Sequence, residues 1–525
     1  MFTGDAIEHL GLCLDISVNP VAGSYEDVSS TRCISPLELF HPDGIVERVC
    51  VIGDNCPTRL LPEFHNVAGD RAALIILAPS EKELRTKGWL QNATLAVNGK
   101  LAPDGVVYVI SPSPWRWTIE RLLRNGGFRN ETYIGHFPNW ESSRYLVPLS
   151  AIPARYAFWN LFPTRWWKRH LSRTVLRIPG GGKFLANVLP CVSLVARRPG
   201  DRPLFHWLRQ FDDDMEQFRS VIVSTSWRGR RGSVVLHPFA GSKSTPSVVM
   251  KMGWEADGDF NPANELATLE RLRPHAVSAG ALVPETLFVN QIRKRQIVVQ
   301  SALSGQSVAA ILFSNPTRLF QIMKLVTAWL ERWNVSTRLM RLLDPDLIDQ
   351  ELLTPAATLA PLIERGAEYR SWLAGRSAMI KTAVPLVAAH GDLTMWNILL
   401  DKPGSLRVVD WEAARDSSFP LVDFFYAMTD AVVVARGYDR TRALKECFTP
   451  GGLYVREITN LLLRVTRAVE IPEGFIELCL HACFLGHAVN ERRMSEPGDA
   501  QPFLKTVQWL ASNRRAVKES MNCSG

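Results

Sequence analysis

Three polar residues in the second half of the chain have the types and spacing that phosphoryl transfer requires. Asp392 and Asn397 are five residues apart, and Asp410 closes a short apolar run further on. In phosphoryl transfer from a nucleotide, one carboxylate orients the attacking hydroxyl and accepts its proton, while an amide oxygen and a second carboxylate hold Mg²⁺ against the phosphates. The spacing is close to that of the kinase catalytic loop, in which an asparagine follows the aspartate five positions later. These residues are therefore the first candidates for an active site.

Each of the three residues also has an ordinary alternative interpretation. Asp392 would serve as a turn residue, Asn397 as a helix or turn cap, and Asp410 as an aspartate at a strand end. Because these alternatives are independent of one another, their coincidence in one block is the less economical explanation. We therefore favour the catalytic interpretation.

The block that contains these residues resembles the signature of a known enzyme family. His-Gly-Asp-Leu-x-x-x-Asn-Ile-Leu over 390–399, followed by Asp-Trp-Glu at 410–412, is similar to the aminoglycoside phosphotransferase and choline kinase family. The resemblance covers 206–525 and implies a two-lobed, protein-kinase-like α+β fold that uses ATP and Mg²⁺ to phosphorylate a small-molecule hydroxyl. It implies that Asp392 is catalytic and that Asn397 and Asp410 bind both the nucleotide and Mg²⁺, a cation that prefers oxygen ligands.

The same resemblance implies supporting roles for neighbouring residues. His390 would brace the loop through hydrogen bonds, and Asp423 would tie the loop to the helical lobe. Glu412 would lie next to the reacting groups without reacting itself. Trp396 departs from the small or polar residue that is common in the family at this point. The substitution removes no reacting group.

Two charged residues upstream fit the nucleotide-binding part of the same family. Lys251 lies near the end of the apolar run Ser247–Met252, and Glu265 follows on a predicted helix that begins at Pro262. The resemblance implies that Lys251 contacts the nucleotide phosphates and that Glu265 orients this lysine. The alternative for this pair alone is a lysine at a strand edge and an exposed helical glutamate, although an ammonium buried without a partner is costly.

A turn with two glycines precedes this lysine. Gly229 and Gly232 lie between the predicted strands Val221–Ser224 and Ser233–Leu236. Such a hairpin would cover the nucleotide phosphates with backbone N–H groups. A Gly-Arg-Arg-Gly turn in isolation is ordinarily a solvated loop, but its position before Lys251 favours the nucleotide-binding interpretation.

Residues 1–205 are predicted to form a separate α/β domain. Short apolar runs of buried-strand type alternate with predicted helices, at 49–53, 73–77, 84–97, 106–110 and 117–125. This order argues for a parallel sheet. The charged stretch 197–203, rich in Pro and Gly, then suits a domain boundary.

This first domain resembles the later half of a class I methyltransferase. The turn Leu101–Gly105 before a strand and Gly127-Phe128 before a last hairpin carry the resemblance. The cofactor loop departs from it, because a nucleotide-type loop needs several glycines and only Gly53 is present after the first strand. We therefore predict a degenerate methyltransferase-like domain. Retained methyl transfer from S-adenosylmethionine stays open as an alternative.

The two kinase-like lobes are predicted at 206–305 and 306–525. In the first lobe, Ile297–Gly305 would link the lobes and contact the adenine edge. In the second, a helix over Leu319–Trp333 has apolar residues at helical spacing. Strands at 386–389 and 406–409 are predicted to pair around the catalytic loop.

The acceptor side of the site has weaker signals. Asp430, Glu446 and Glu491 are carboxylates that could line it, since family members that act on cationic acceptors use such side chains. Solvated helix faces are the simpler interpretation of Asp430 and Glu446. The acceptor is therefore predicted only as a hydroxyl on a sugar, an amino sugar or an amino alcohol.

A basic and aromatic segment spans 155–184. It interleaves the rings of Tyr156, Phe158, Trp159, Phe162, Trp166 and Trp167 with the cations of Arg155, Arg165, Lys168, Arg169, Arg173 and Arg177. Such a segment lies on an anionic membrane surface or docks onto a neighbouring domain with its cations solvated. The second interpretation is the simpler one, and both stay open.

The composition is that of a globular protein with more than one domain. The chain has 525 residues, of which 46% are hydrophobic and 21% charged. A net charge of +8 over this length does not by itself indicate nucleic acid. The nine cysteines are scattered and predict reduced thiols. Since neither a secretory signal nor a run of about 18 apolar residues is visible, we predict a cytoplasmic protein.

Three functions follow from these observations. The first is an ATP- and Mg²⁺-dependent small-molecule kinase, which we favour because Lys251, Glu265, Asp392, Asn397 and Asp410 are all retained. The second is a nucleotide-binding pseudokinase that acts as an interaction or regulatory module. The third is a methyltransferase with an accessory kinase-like domain.

Overall fold

The computed structural model describes residues 36–44, 46, 48–55, 71–111, 113–140, 143–162, 174–178, 181–210, 217–225, 233–241, 243–253, 262–292, 295–401, 405–494 and 500–522. Its strands are β1 (Val49–Ile52), β2 (Ala72–Leu77), β3 (Leu101–Ile110), β4 (Arg129–Phe137), β5 (Tyr145–Pro148), β6 (Val192–Arg197), β7 (Phe218–Thr225), β8 (Ser233–Ala240), β9 (Val248–Gly253), β10 (Ala281–Leu282), β11 (Thr286–Ile292), β12 (Arg295–Ser301), β13 (Gln306–Ser307), β14 (Leu339–Arg341), β15 (Val384–Ala389), β16 (Ile398–Leu400), β17 (Leu406–Val408) and β18 (Arg415–Ser418).

The helices are α1 (Glu81–Arg85), α2 (Trp89–Lys100), α3 (Ser113–Asn125), α4 (Ala151–Tyr156), α5 (Gly181–Val188), α6 (Pro262–Ser278), α7 (Val308–Ser314), α8 (Leu319–Thr337), α9 (Pro345–Ile348), α10 (Thr354–Leu359), α11 (Gly366–Ala378), α12 (Val422–Arg436), α13 (Arg440–Phe448), α14 (Val455–Val469), α15 (Glu473–Met494), α16 (Pro502–Ser512) and α17 (Arg514–Asn522). Short 3₁₀ and π turns connect several of them.

The chain divides into two compact units. Unit 1 comprises Met1–Phe158, Lys168–Phe260 and Thr286–Ala302, and unit 2 comprises Trp159–Trp167, Asn261–Glu285 and Leu303–Gly525. The boundary predicted at residue 205 lies inside unit 1. The boundary predicted at residue 305 lies three residues beyond the last segment of unit 1.

Unit 1 begins as the α/β arrangement that the sequence predicts. Strands β1, β2 and β3 are parallel neighbours, because α1 and α2 return the chain between β2 and β3. The sheet is mixed rather than parallel throughout, however. Strand β6 lies between β3 and β4 and is antiparallel to both. The chain enters β6 after the turn that follows α5, so its direction is opposite to that of β3.

A single sheet crosses the whole of unit 1. Its strand order is β1-β2-β3-β6-β4-β5-β7-β8-β9-β12-β11. The junction is the antiparallel pair of β5 and β7, in which Tyr145 lies opposite Ser224 and Leu146 opposite Val223. The predicted first domain and the predicted upper kinase-like lobe therefore share one ladder of hydrogen bonds.

One face of this sheet carries a continuous apolar core. The cluster runs from Leu74 and Val106 through Val223 and Leu236 to Val299, and all these side chains are buried. A second cluster covers the other face at the β1–β6 end, where Trp89 and Leu123 pack from α2 and α3. Burial on this scale stabilises the sheet by roughly 25 cal/mol for each Å² of apolar surface removed from water.

Unit 2 is mostly helical and carries two small sheets. The strand order of one is β10-β17-β16-β13 and that of the other is β14-β15-β18. The strands predicted at 386–389 and 406–409 form as β15 and β17, but the predicted pairing between them is wrong. Strand β17 pairs with β16 instead, because the two are joined by a short connection that brings Ile398 opposite Val408.

The core of unit 2 surrounds α8, the helix predicted from apolar spacing. Trp329 and Trp333 of α8 are completely buried and their rings are stacked, with centroids 5.6 Å apart. Trp333 also meets Trp411 edge-on at 5.5 Å. This aromatic core reaches the segment that contains the predicted catalytic residues.

No helix in the described ranges is long and apolar enough to cross a bilayer. The described cysteines, Cys50, Cys191, Cys447, Cys479 and Cys483, form no disulfide. Burial raises the pKa of the Cys479 and Cys483 thiols above the ordinary range.

Candidate active site

The segment that connects β15 to β16 holds Asp392 and Asn397 and has an irregular backbone. Gly391 has a φ of +79°, which side-chain-bearing residues rarely adopt. A Cβ at this position would also lie 2.3 Å from the carbonyl oxygen of Ala413. Glycine is therefore required here for two independent reasons, and the turn aims the next residue, Asp392.

His390 holds the segment against the strand that leads to Asp410. Its Nε2 lies 3.0 Å from the carbonyl oxygen of Val409, and its Nδ1 accepts the N–H of Asp392 at 3.3 Å. Since the carbonyl only accepts, Nε2 carries the proton and the ring is the neutral tautomer. These contacts support the bracing role predicted for His390.

Asp423 anchors the same turn from the first turn of α12. Its two carboxylate oxygens accept the backbone N–H groups of His390 and Gly391 at 2.7 and 2.9 Å. The side chain is buried, where an unpaired carboxylate would be costly. These two hydrogen bonds correspond to the predicted tie between the loop and the helical lobe.

Asp392 and Asn397 are in direct contact. The Nδ2 of Asn397 donates to the main-chain oxygen of Asp392 at 2.8 Å and to its Oδ2 at 3.1 Å. The Oδ1 of Asn397 is thereby turned away from the Asp392 carboxylate. The carbonyl of Asn397 accepts the N–H of Val409 at 2.9 Å, and this hydrogen bond sets Asp410 beside the loop.

Asp410 follows β17 in a left-handed conformation, with a φ of +69°. Aspartate adopts this conformation more readily than most residues, but it still marks a constrained position. Asp410 is half-buried, whereas Glu412 is exposed. The negative charges of Asp410 and Glu412 both act on Asp392.

The carboxyl of Asp392 is strongly perturbed. Burial raises its pKa to about 8, the charges of Asp410, Asp430 and Glu412 act in the same direction, and a hydrogen bond from the Tyr426 hydroxyl opposes them. The residue keeps partial exposure to solvent, so a substrate hydroxyl could reach it. A cation that offsets the neighbouring negative charge would favour the ionised form of this carboxyl.

The residues present fit a divalent cation. Asn397 and Asp410 supply hard oxygen atoms, and the crowding of carboxylates that raises the Asp392 pKa is what a cation would relieve. Among the residues that the structure describes, no group of three or more His, Cys, Asp or Glu side chains is placed to hold an ion. Mg²⁺ in phosphoryl-transfer sites ordinarily uses one or two carboxylates, with water and substrate phosphates completing its shell.

A network of polar and aromatic side chains on α12 and α13 supports the loop. Its function was not predicted from the sequence. Asp430 is buried, accepts the N–H of Met395 at 2.8 Å, and lies 3.7 Å from the Arg440 guanidinium. The same guanidinium lies over the rings of Tyr426 and Phe503, at 5.2 and 4.1 Å from their centroids. The helix 422–436 is very apolar but contains two aspartates and a tyrosine. This pattern indicates polar groups that are buried and hydrogen-bonded.

The carboxylates predicted on the acceptor side have other partners. The interpretation of Asp430 as a solvated carboxylate is wrong, because its helix lies in the core. Glu446 accepts the N–H of Leu453 at 2.9 Å. Glu491 is buried and accepts the N–H groups of Phe503 and Leu504, at the start of α16. Each of the three carboxylates thus engages the main chain.

The predicted nucleotide-binding residues are placed as follows. Lys251 lies in β9 of unit 1 and Glu265 in α6 of unit 2, and both are buried. The pairing between them stays a prediction. Gly229 and Gly232 lie outside the described residues, as does most of the aromatic part of 155–184 beyond Phe162.

Residues 260–446 match the model of the phosphotransferase enzyme family. This range includes Glu265, Asp392, Asn397 and Asp410, so the resemblance inferred from the motif is confirmed for this part of the chain. The methyltransferase resemblance of the first domain stays a prediction. None of the curated proteins matches the chain.

Solved structures of aminoglycoside phosphotransferases align with part of the chain. A GDP and kanamycin complex of APH(2")-IIia is 14% identical, covers 60% of this chain and 99% of that chain, and has a TM-score of 0.37. The enzyme APH(3'')-Id from Streptomyces rimosus, in complex with ADP and streptomycin, is 14% identical over 53% of this chain and 96% of that chain, with a TM-score of 0.32. An aminoglycoside-3'-phosphotransferase of type VIII is 12% identical over 52% and 97%, also with a TM-score of 0.32.

Proposed function

We propose that this chain transfers the γ-phosphoryl group of ATP to a hydroxyl of a small molecule, a sugar, an amino sugar or an amino alcohol. The observation that supports the proposal most is that Asp392 and Asn397 lie on one braced loop and that Asp410, which follows β17, lies close enough for its charge to act on Asp392. Asn397 contacts Asp392 directly, and the charge of Asp410 acts on the same carboxyl. The match of residues 260–446, which include these three residues, to the phosphotransferase enzyme family also supports this chemistry.

Asp392 is the proposed catalytic residue. Its ionised carboxylate would accept a hydrogen bond from the acceptor hydroxyl, align it for attack on the γ-phosphorus, and take its proton as the new P–O bond forms. The bond between the γ-phosphorus and the β,γ-bridging oxygen breaks in the same step, and ADP leaves. The hydrogen bond from Asn397 holds the Oδ2 atom of Asp392 in a fixed orientation.

Asn397 and Asp410 are the proposed ligands of Mg²⁺. When bound, the ion would supply positive charge against the phosphate oxygens. We also propose that Lys251 contacts the nucleotide phosphates, that Glu265 orients this lysine, and that the backbone around Gly229 and Gly232 covers the phosphates. Both charged residues are buried, and a buried ammonium or carboxylate requires compensation.

The test is Mg²⁺-dependent turnover of ATP by the full chain with a panel of sugars, amino sugars and amino alcohols. Asp392→Asn keeps the size of the side chain and removes its charge, so acceptor-stimulated turnover should fall by a factor of about 100 or more. Asp416→Asn is the matched control, because Asp416 is exposed and pairs with the exposed Arg271 at 2.7 Å. This control should turn over ATP like the wild type.

The other outcomes separate the rival functions. Nucleotide binding without turnover across the panel would favour a pseudokinase. Binding of neither ATP nor GTP would overturn the proposal. Glu265→Gln and Lys251→Met, assayed for nucleotide binding as well as turnover, test the two remaining roles.

A further inference from the structure

The excess of cations over anions in this protein arises in one segment of the sequence. Residues 142–200 contain ten of the 60 Lys and Arg residues and none of the 52 Asp and Glu residues, so the rest of the chain has 50 cations against 52 anions. The whole net charge of +8 thus comes from 59 residues. A segment of this kind attracts an anionic surface over a distance of about a Debye length, ~8 Å at physiological ionic strength.

Part of the same segment exposes large apolar side chains. Ile178, Phe184 and Val188 are 59%, 56% and 62% exposed. Phe184 and Val188 are four residues apart on α5 and therefore stand on one side of this helix. Lys183 and Arg177 are exposed beside them. We call the side chains of Arg177, Ile178, Lys183, Phe184 and Val188 the α5 surface.

The opposite side of α5 is fixed in unit 1. Gly181, Leu185 and Ala186 are buried, and Ala186 packs with Leu149 and Val192. A Cβ on Gly182 would lie 1.9 Å from the carbonyl oxygen of Leu149, so the glycine allows α5 to begin tightly against the end of β5. The core face of α5 is therefore formed by Leu185 and Ala186, and Phe184 and Val188 face solvent.

A neighbouring helix adds another exposed ring. Arg116 of α3 donates from its guanidinium to the carbonyl oxygen of Ala186 in α5. The next residue, Trp117, is 62% exposed. An exposed tryptophan ring is common in proteins that contact the interface of a bilayer.

We propose that the α5 surface binds anionic phospholipid bilayers, with Phe184 and Val188 entering the interface and the exposed cations of Arg177 and Lys183 contacting lipid phosphates and carboxylates. Lipid explains both features together. A nucleic acid would use the cations but leave aliphatic side chains without partners, and an acidic soluble protein would not require cations spread over 59 residues. Binding of this kind combines buried apolar area with electrostatic attraction.

The test is sedimentation of the full chain with vesicles of phosphatidylcholine alone and of phosphatidylcholine with phosphatidylserine, at low and high salt. The wild type should bind the anionic vesicles, and high salt should weaken the binding. Arg177→Glu with Lys183→Glu should weaken it roughly fivefold or more for each cation removed. Phe184→Asp with Val188→Asp should weaken it at both salt concentrations.

Matched controls carry the same charge changes elsewhere. Leu342 and Leu453 are exposed apolar residues of unit 2, and Leu342→Asp with Leu453→Asp should bind like the wild type. Lys324→Glu with Lys381→Glu, at exposed positions, controls for the loss of two cations. Far-UV circular dichroism should show that every variant is folded.

Four results would overturn the proposal. They are the absence of wild-type binding to anionic vesicles, equal binding by the α5-surface variants and their controls, and tighter binding of single-stranded RNA than of vesicles at matched salt. The fourth is a concentration-dependent dimer, seen by analytical ultracentrifugation, that Phe184→Asp with Val188→Asp abolishes, since a second copy of the chain would then cover the surface.

Discussion

The charge of Asp392 depends on its neighbours rather than on its own chemistry. Burial and three other carboxylates oppose its ionisation, and the Tyr426 hydroxyl favours it. A carboxylate with a raised pKa is a better proton acceptor once it ionises, because its basicity is closer to that of the group it must deprotonate. Tyr426 therefore favours the ionised form of Asp392, a role that its position in an apolar helix does not suggest.

The Tyr426→Phe substitution should lower kcat about tenfold or more and leave the KM for ATP nearly unchanged. It removes a hydrogen bond to a charged group, worth roughly 1.5–3 kcal/mol, while the ring keeps its contact with His487, 3.8 Å between centroids. Steady-state kinetics at saturating acceptor measure the change. Tyr454→Phe is the control, because its hydroxyl accepts from Arg436 at 2.6 Å and does not contact Asp392. A wild-type kcat for Tyr426→Phe would contradict this prediction.

The Gly391→Ala substitution should destabilise unit 2 by about 1–3 kcal/mol and abolish turnover. The methyl group meets the Ala413 carbonyl and the backbone cannot keep a φ of +79° without strain. Urea unfolding gives the free energy. Gly375→Ala is the control, because Gly375 lies inside α11 with nothing within 4 Å of an added Cβ, and alanine there should stabilise the protein by roughly 0.5–1 kcal/mol. Equal stabilities for the two variants would refute the argument.

The sequence indicates candidate reacting groups but not the residues that support them. Asp392, Asn397 and Asp410 were recognisable as candidates because phosphoryl transfer requires both their residue types and their spacing. Tyr426 and Arg440 were not, since they reach the loop only through the tertiary packing of α12 and α13. Glu491 was assigned to the acceptor side because sequence cannot distinguish a carboxylate that caps the next helix from one that faces a ligand.

At the scale of elements, α12 positions the whole loop. Asp423, Tyr426 and Asp430 are three and four residues apart in succession, so they share one face of the helix. From this face they contact the backbone of His390, the carboxyl of Asp392 and the backbone of Met395. One helix thus contacts the start of an irregular segment, its proposed catalytic residue and its middle.

Removal of the Asp423 side chain, which binds the start of the loop, tests this arrangement. Asp423→Ala should leave two backbone N–H groups without their acceptor, at about 1–3 kcal/mol each, and should lower kcat as well as stability. Asp439→Ala is the matched control: Asp439 caps α13 by accepting the N–H of Arg442 at 2.9 Å, and its loss should cost about 1 kcal/mol without an effect on kcat. Urea unfolding and steady-state kinetics give both quantities. Parallel effects on kcat in the two variants would show that α12 has no special role.

The positions of helices and strands could be predicted from the sequence where the local spacing of apolar residues determines them. Helix α8 and strands β2, β9 and β15 formed close to their predicted positions, because apolar spacing determines them. The turn predicted at Leu101–Gly105 is wrong, because β3 begins at Leu101 and includes these residues. Pairing between strands was not readable from the same signal. Strand β6 entered the sheet between β3 and β4, and β17 paired with β16, since a ladder depends on which segments the tertiary fold brings together.

At the scale of the molecule, one sheet and one apolar cluster run through unit 1. The pairing of β5 with β7 and the apolar cluster from Leu74 to Val299 both cross the boundary predicted at residue 205. A fragment of residues 206–525 would therefore expose the edge of β7 and half of that core. We expect this fragment to be insoluble or to unfold without a cooperative transition, as judged by size-exclusion chromatography and calorimetry. A monodisperse fragment with the ATP turnover of the full chain would contradict this expectation.

Buried histidines should make the protein sensitive to acid. Burial lowers the pKa of His136 and His481 to about 3 and that of His237 to about 4, whereas the unfolded value is about 6.5. Each is neutral in the folded protein, so its contribution to stability is complete above pH 6.5 and is lost as the pH falls toward the folded pKa. The slope approaches about 1.4 kcal/mol per pH unit for each histidine.

Urea unfolding between pH 7 and pH 5 measures this slope. His136→Gln should reduce it by the share of one histidine, since glutamine keeps a polar group near Tyr108 and Ser193 and does not titrate. His275→Gln, at a partly exposed position in α6, is the control for a His→Gln substitution outside the buried core. An unchanged slope in His136→Gln would show that this residue does not contribute to acid sensitivity.

The pairing of β5 with β7 also has a consequence for biosynthesis. Tyr145 leaves the ribosome 79 residues before its partner Ser224, and at a synthesis rate of roughly 5–20 residues per second the interval is about 4–16 s. During this time the nascent chain presents a strand edge with no neighbour, together with the aromatic segment that follows it. Chaperone demand and co-translational misassembly should therefore be greatest in this window, and slow codons between 145 and 224 would prolong it.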